Sequence, residues 1–155
     1  MILKIDQIAP IFSLLSDEGK SISLSDLKGK NVVLYFYPKD DTPGCTIEAQ
    51  DFTRKIEEFE KLNCVVFGIS KDNTESHCKF IRKYDIAFNL LSDNDGEVCE
   101  IYDVIKQKSM FGKKYLGIDR STFLINKAGK IAKIWRSVSV KGHVDEVLAE
   151  LSKLP

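Results

Sequence analysis

Three residues spaced four and three apart, Pro38, Thr42 and Cys45, carry the chemistry this sequence most plainly offers. A thiol, a hydroxyl three residues before it and a proline at the preceding bend suit nucleophilic attack by sulfur. The thiolate is the nucleophile, so its surroundings must favour ionisation near neutral pH, whereas a free cysteine ionises at about 8.5. The Thr42 hydroxyl, three residues away, is expected to reach the sulfur. Pro38 adds bulk without a donor.

The flanking residues say how these groups are held. Val32-Val33-Leu34-Tyr35-Phe36-Tyr37 is apolar, aromatic and β-branched, long enough for a buried strand and short for a helix. Pro38 ends it, since proline gives no ladder hydrogen bond. Asp40 to Gly44 make a turn. Thereafter Phe52, Ile56 and Phe59 recur at helical spacing among charged residues, which predicts an amphipathic helix from about Pro43 to Leu62. Thr42 falls at its N-cap and Pro43 at its first position. Cys45 then lies in the first turn, where unpaired N–H groups and the positive end of the helix dipole favour a thiolate. Gly44 and Cys45 supply backbone donors there.

These residues also resemble a known family. Pro38, Thr42 and Cys45 match the Pro-x-x-x-Thr-x-x-Cys signature of peroxiredoxins. The fuller run Tyr35 to Lys39, followed by Thr42-Pro43-Gly44-Cys45-Thr46, looks like the bacterioferritin comigratory protein, or peroxiredoxin Q, branch. The resemblance implies a thiol peroxidase that reduces hydrogen peroxide and organic hydroperoxides through a sulfenic acid on Cys45. It implies recycling by a thioredoxin-like or glutaredoxin-like reductant, with no cofactor and no metal. Gly117 to Phe123 looks like the family segment whose arginine contacts the reactive sulfur, which makes Arg120 the fixed positive charge. Read without the family, an arginine at a strand start is a surface residue or an ion-pair partner. Arg54, on the helix after Cys45, is expected to be solvated.

A sulfenic acid needs a second thiol to resolve it. Many relatives in this branch carry a cysteine five residues after the reactive one; this chain has Gln50. Others carry one in the following helix, near Ile81; this chain has Cys78, three residues earlier, which is about 300° of rotation and about 4.5 Å of rise away. Resolution by Cys78 and resolution by an external thiol both stay open. Cys64 and Cys99 read as packing residues. His77 reads as a solvated or packed helix residue that could tune Cys78, and His143 as an exposed one.

Composition narrows the rest. The 155 residues, 43% hydrophobic and 30% charged, suit one soluble domain spanning 1–155. Basic and acidic residues balance at 23 each, so nothing recommends a nucleic-acid partner. No apolar run approaches a membrane span, and Met1 to Pro10 does not read as a secretory signal. Four cysteines without a Cys-x-x-Cys pair argue against a zinc knuckle and against a dithiol exchange enzyme. A cytoplasmic monomer or weak homodimer is expected. The rival reading is a redox sensor or holdase that uses Cys45 without significant turnover.

Along the chain, Phe12–Leu15 and Ser21–Leu24 predict an N-terminal hairpin, and Ser25 to Gly29 a helical turn. Cys64 to Ile69 predicts a second buried strand, parallel to the first through a βαβ crossover. Asp72 with Glu75 suggests a capping box for a helix ending near Tyr84. Phe88 to Leu91 is a strand, and Asn94-Asp95-Gly96 opens a helix to about Tyr102. Gln107 to Gly117, with its lysines and glycines, reads as an irregular, partly extended loop; Met110 to Tyr115 could line the mouth of a pocket. Thr122–Ile125 and Ile131–Trp135 form an antiparallel pair, and His143 to Leu151 a closing helix. The sum is α/β, a mixed sheet with helices on both faces; the resemblance selects the thioredoxin-like fold.

Overall fold

The computed structural model describes residues 2–155. Its centre is the strand β3 (Asn31–Phe36), buried at every position. β3 pairs in parallel with β4 (Cys64–Ser70) and antiparallel with β8 (Ser121–Ile125). Among the described residues, seven strands form the main sheet in the order β2-β1-β5-β4-β3-β8-β9. β1 (Ser13–Ser16) and β2 (Ser21–Ser23) make the N-terminal hairpin, β5 is Leu90–Ser92 and β9 is Ile131–Trp135.

Side chains alternate across β3. Val33 and Tyr35, with Tyr37 just beyond, face the packing layer of α1 (Pro43–Arg54), α2 (Ile56–Lys61), α3 (Thr74–Tyr84) and α5 (His143–Ser152). Val32, Leu34 and Phe36 face a second layer with Tyr102, Phe123 and the start of α4 (Glu97–Ile101). A strand sandwiched this way needs apolar residues at both parities, which is why its sequence is a continuous run. The mixed α/β architecture with helices on both faces is as expected.

Several local expectations need correction. The long helix after Cys45 breaks at Lys55, so α1 and α2 are separate pieces of one amphipathic stretch. α3 is capped by Asn73, whose side chain accepts from the Ser76 N–H at 2.8 Å, and not by Asp72. The segment read as an irregular loop is a regular two-stranded hairpin, β6 (Ile105–Met110) and β7 (Lys113–Ile118), outside the main sheet. Its lysines and glycines hid a strand pattern because both its faces are largely exposed away from the base.

Candidate active site

The end of β3 delivers the site. The strand stops at Phe36, Pro38 follows half-buried, and the chain crosses Asp40 and Asp41 to Thr42, which is extended (φ −102°, ψ 156°) and caps α1. The first backbone hydrogen bond of α1 is donated by Thr46 to the Thr42 carbonyl, at 2.9 Å. The N–H groups of Gly44 and Cys45 therefore precede the ladder, and no helical carbonyl takes them. Cys45, the third residue of α1, is 1% exposed.

Arg120 reaches the sulfur from the start of β8, 75 residues away in sequence; its Nη2 lies 3.5 Å from Cys45 Sγ. Its Nη1 donates to Glu48 Oε1 at 2.7 Å. The arginine is thus held at one nitrogen and aimed with the other, an arrangement that the planar fork of guanidinium permits and a lysine does not. Gly44 makes room for it: a Cβ there would sit 3.0 Å from Nη2. Glu48 is completely buried, and its Oε2 has no hydrogen-bond partner among the described residues. Burial pushes its carboxyl up to about 7, against the pull of Arg120. Burial opposes the charge on Arg120, but Glu48 and Cys45 outweigh it and hold the guanidinium above its ordinary value.

Sequence reasoning missed Glu48. The signal was present, since a residue three after Cys45 shares its helical face. It was masked because a glutamate in a charged amphipathic helix reads as solvated. Arg54, by contrast, is exposed and pairs with Asp51 on its own helix. Thr42 also departs from expectation. Its hydroxyl donates to the Lys39 carbonyl at 2.8 Å and not to the sulfur, leaving its lone pairs to accept.

A buried polar network fixes the loop before Thr42. Asp40 accepts from Tyr37 Oη at 2.6 Å and Ser76 Oγ at 2.8 Å, and His77 Nδ1 lies 2.8 Å from it. The backbone N–H of Asp40 donates to Asp72 at 2.8 Å. His77 Nε2 lies 3.0 Å from the Leu91 carbonyl, so it carries a proton. His77 is therefore a packed residue that ties α3 to the loop. Asp41, in left-handed backbone, binds Lys83 and Tyr84 at the far end of the same helix. His143, expected to be exposed, is buried instead; Thr122 Oγ1 lies 2.8 Å from its Nε2. Burial, and then the charge of Arg120, push its imidazole down to about 4.

All four cysteines are free thiols. Cys64 and Cys99 are packed in the core, and burial pushes the Cys64 thiol up to about 12. Cys78 is half-buried on α3, and nothing in the folded arrangement bonds it to Cys45.

Comparison with known proteins agrees with this geometry. The profile of the AhpC/TSA family matches residues 5–134. A putative peroxiredoxin Bcp of Coxiella burnetii is 54% identical over 151 residues, covering 97% of this chain and 100% of that protein. Peroxiredoxin Bcp of Bacillus subtilis is 50% identical over 154 residues, covering 99% and 98%. Among solved structures, the bacterioferritin comigratory protein of Xanthomonas campestris, studied for alkyl peroxide reduction, superposes with a TM-score of 0.87. It is 45% identical, over 91% of this chain and 90% of that one. The chain belongs to the AhpC/TSA family and is a thiol peroxidase of the peroxiredoxin Bcp kind, with the thioredoxin-like fold.

Proposed function

We propose that Cys45 is the nucleophile of this peroxiredoxin and that Arg120, Thr42, Gly44 and Pro38 form its peroxide site. The observation that carries the reading is the guanidinium 3.5 Å from a sulfur at the open start of a helix. A Cys45 thiolate attacks one oxygen of a hydroperoxide, the O–O bond breaks, and the other oxygen leaves as hydroxide or alkoxide and takes a proton. The sulfur, oxidised by two electrons, becomes a sulfenic acid. Charge builds on the departing oxygen, and fixed donors there lower the barrier most. The N–H groups of Gly44 and Cys45 and the free edge of Arg120 are such donors. Thr42, with its proton given to Lys39, accepts from the peroxide O–H and orients it. Pro38 screens the sulfur from water.

Hydrogen peroxide and organic hydroperoxides are the substrates this site suits; the Xanthomonas relative, studied for alkyl peroxide reduction, supports the second class. A thioredoxin-like or glutaredoxin-like protein returns the two electrons. Cys78 or a thiol of that reductant resolves the sulfenic acid. Four unpaired cysteines suit a reducing cytoplasm, and no helix among the described residues is long and apolar enough to cross a membrane. Mass spectrometry after one equivalent of peroxide is the test. A bridge or sulfenic acid at Cys45 is expected; first oxidation at Cys64 or Cys99 overturns the assignment.

A further inference from the structure

The β6–β7 hairpin stands apart from the main sheet and is unused by the chemistry above. In a chain whose formal charge sums to zero, residues 105–118 carry four lysines and no acidic residue. The register pairs Lys108 with Tyr115 and Met110 with Lys113, which puts Lys106, Lys108, Met110, Lys113 and Tyr115 on one face. Phe111 at the tip is 97% exposed, Met110 is exposed beside it, and Leu116 is exposed further along β7 on the opposite face. Buried Ile118 anchors the base, its carbonyl accepting from Lys108 Nζ at 2.5 Å. The Lys108 stem lies over Gly117, where a Cβ would sit 3.1 Å from its Cδ. Two residues past Ile118 the chain is Arg120, the group on the reactive sulfur.

We infer that this hairpin is the docking surface for the protein reductant, and that it selects a reductant whose face around its own thiols is acidic. The inference rests on the peroxidase reading above. Exposed aromatic and methionine side chains supply the contact area that interface centres use. The surrounding lysines steer an acidic partner and set its orientation. A second copy of this chain is a poor occupant, because like-charged hairpins repel. A partner seated on the hairpin sits on the segment that runs through Ile118 to Arg120, whose guanidinium lies 3.5 Å from the Cys45 sulfur. There a partner thiolate attacks the sulfenic sulfur, an S–S bond forms, and the oxygen leaves as water after taking protons. The partner's second thiol then displaces the Cys45 thiolate, and the partner departs as its disulfide.

The test compares two reductants on one enzyme: an acidic bacterial thioredoxin kept reduced by its reductase and NADPH, and dithiothreitol. The charge-reversed variant K106E/K113E/K114E, which leaves packed Lys108 in place, is expected to lower kcat/KM for thioredoxin by about tenfold or more and to weaken its salt dependence. Phe111→Ser is expected to lower it without changing the salt dependence. Turnover with dithiothreitol stays at the native value in both. An unchanged kcat/KM for thioredoxin overturns the inference. So does an equal fall with dithiothreitol, which would place the hairpin in the peroxide step. Binding to anionic vesicles with native thioredoxin kinetics also overturns it, by assigning the surface to a membrane. Absence of peroxide consumption by native protein with either reductant would instead fail the peroxidase reading.

Discussion

Cys45 and Cys99 occupy the same place on two different helices. Each is the third residue, of α1 and α4 respectively, and each is 1% exposed or less. By helix geometry alone the two thiols are alike. What converges on them differs. At α4 the leading N–H groups are spent on a carboxylate: Val98 and Cys99 donate to Asp93 at 3.2 and 2.8 Å. Burial, next the hydrogen bond with Asp93 and then the Asp93 charge push the Cys99 thiol well above its ordinary value. At α1 the equivalent N–H groups have no carboxylate, and the charged neighbour is the Arg120 guanidinium. On the assignment proposed above, what sets the reactive cysteine apart is not the helix start but the sign of the group placed opposite it.

The largest effect expected from this contrast is at the sulfurs themselves. Cys45→Ser should cut peroxide consumption by about a thousandfold or more, whereas Cys99→Ala should keep it within about twofold. Equal losses, followed by a coupled NADPH assay, would erase the distinction.

The charges gathered at α1 should next show in stability. Glu48, held at about 7, keeps its proton more tightly folded than unfolded, so its contribution is full below about 4.5 and lost as pH rises through 7. His143, held at about 4, works the other way: its contribution is full above about 6.5 and lost as pH falls through 4. Each is worth up to about 3 kcal/mol across its window. Urea titrations of Glu48→Gln should therefore reveal stability rising with pH between 4 and 6.5, and those of His143→Gln stability falling between 4.5 and 7. Parallel curves for the two variants would contradict the assigned environments.

Replacing the fork with a point charge should be milder. Arg120→Lys keeps a positive group but cannot hold Glu48 and the sulfur together, so the second-order rate with hydrogen peroxide should fall about 10- to 50-fold by stopped flow. The smallest change is at the other helix. Asp93→Asn should bring the Cys99 thiol down toward its ordinary value without reaching it, because burial, the larger cause, remains. Carbon-13 NMR of labelled cysteine reads this directly, and an unmoved titration would remove Asp93 from the explanation.

Much of this was legible in the sequence because the residues concerned act locally. The run Val32 to Tyr37 announces a strand buried on both faces, and Thr42-Pro43-Gly44 announces a helix start with Cys45 behind it. Arg120 was legible only through the family resemblance, since nothing local distinguishes it from a surface arginine. Glu48 was missed, His143 was misread as exposed, and His77 was left between solvated and packed, for one shared reason. Each is polar on an amphipathic helix, and their burial depends on partners far away: Arg120, Asp40 and Thr122. The hairpin was misread because two exposed faces leave no alternation to find.

The 75-residue separation between Cys45 and Arg120 has a consequence for the chain as it is made. A ribosome releases α1 long before it releases β8, and the antiparallel pairing of β3 with β8 is the contact that closes this distance. Until that late strand docks, Cys45 has only its helix start. The guanidinium arrives only with completion of the sheet, so an unfinished or misassembled chain leaves Cys45, the nucleophile proposed above, without its cation.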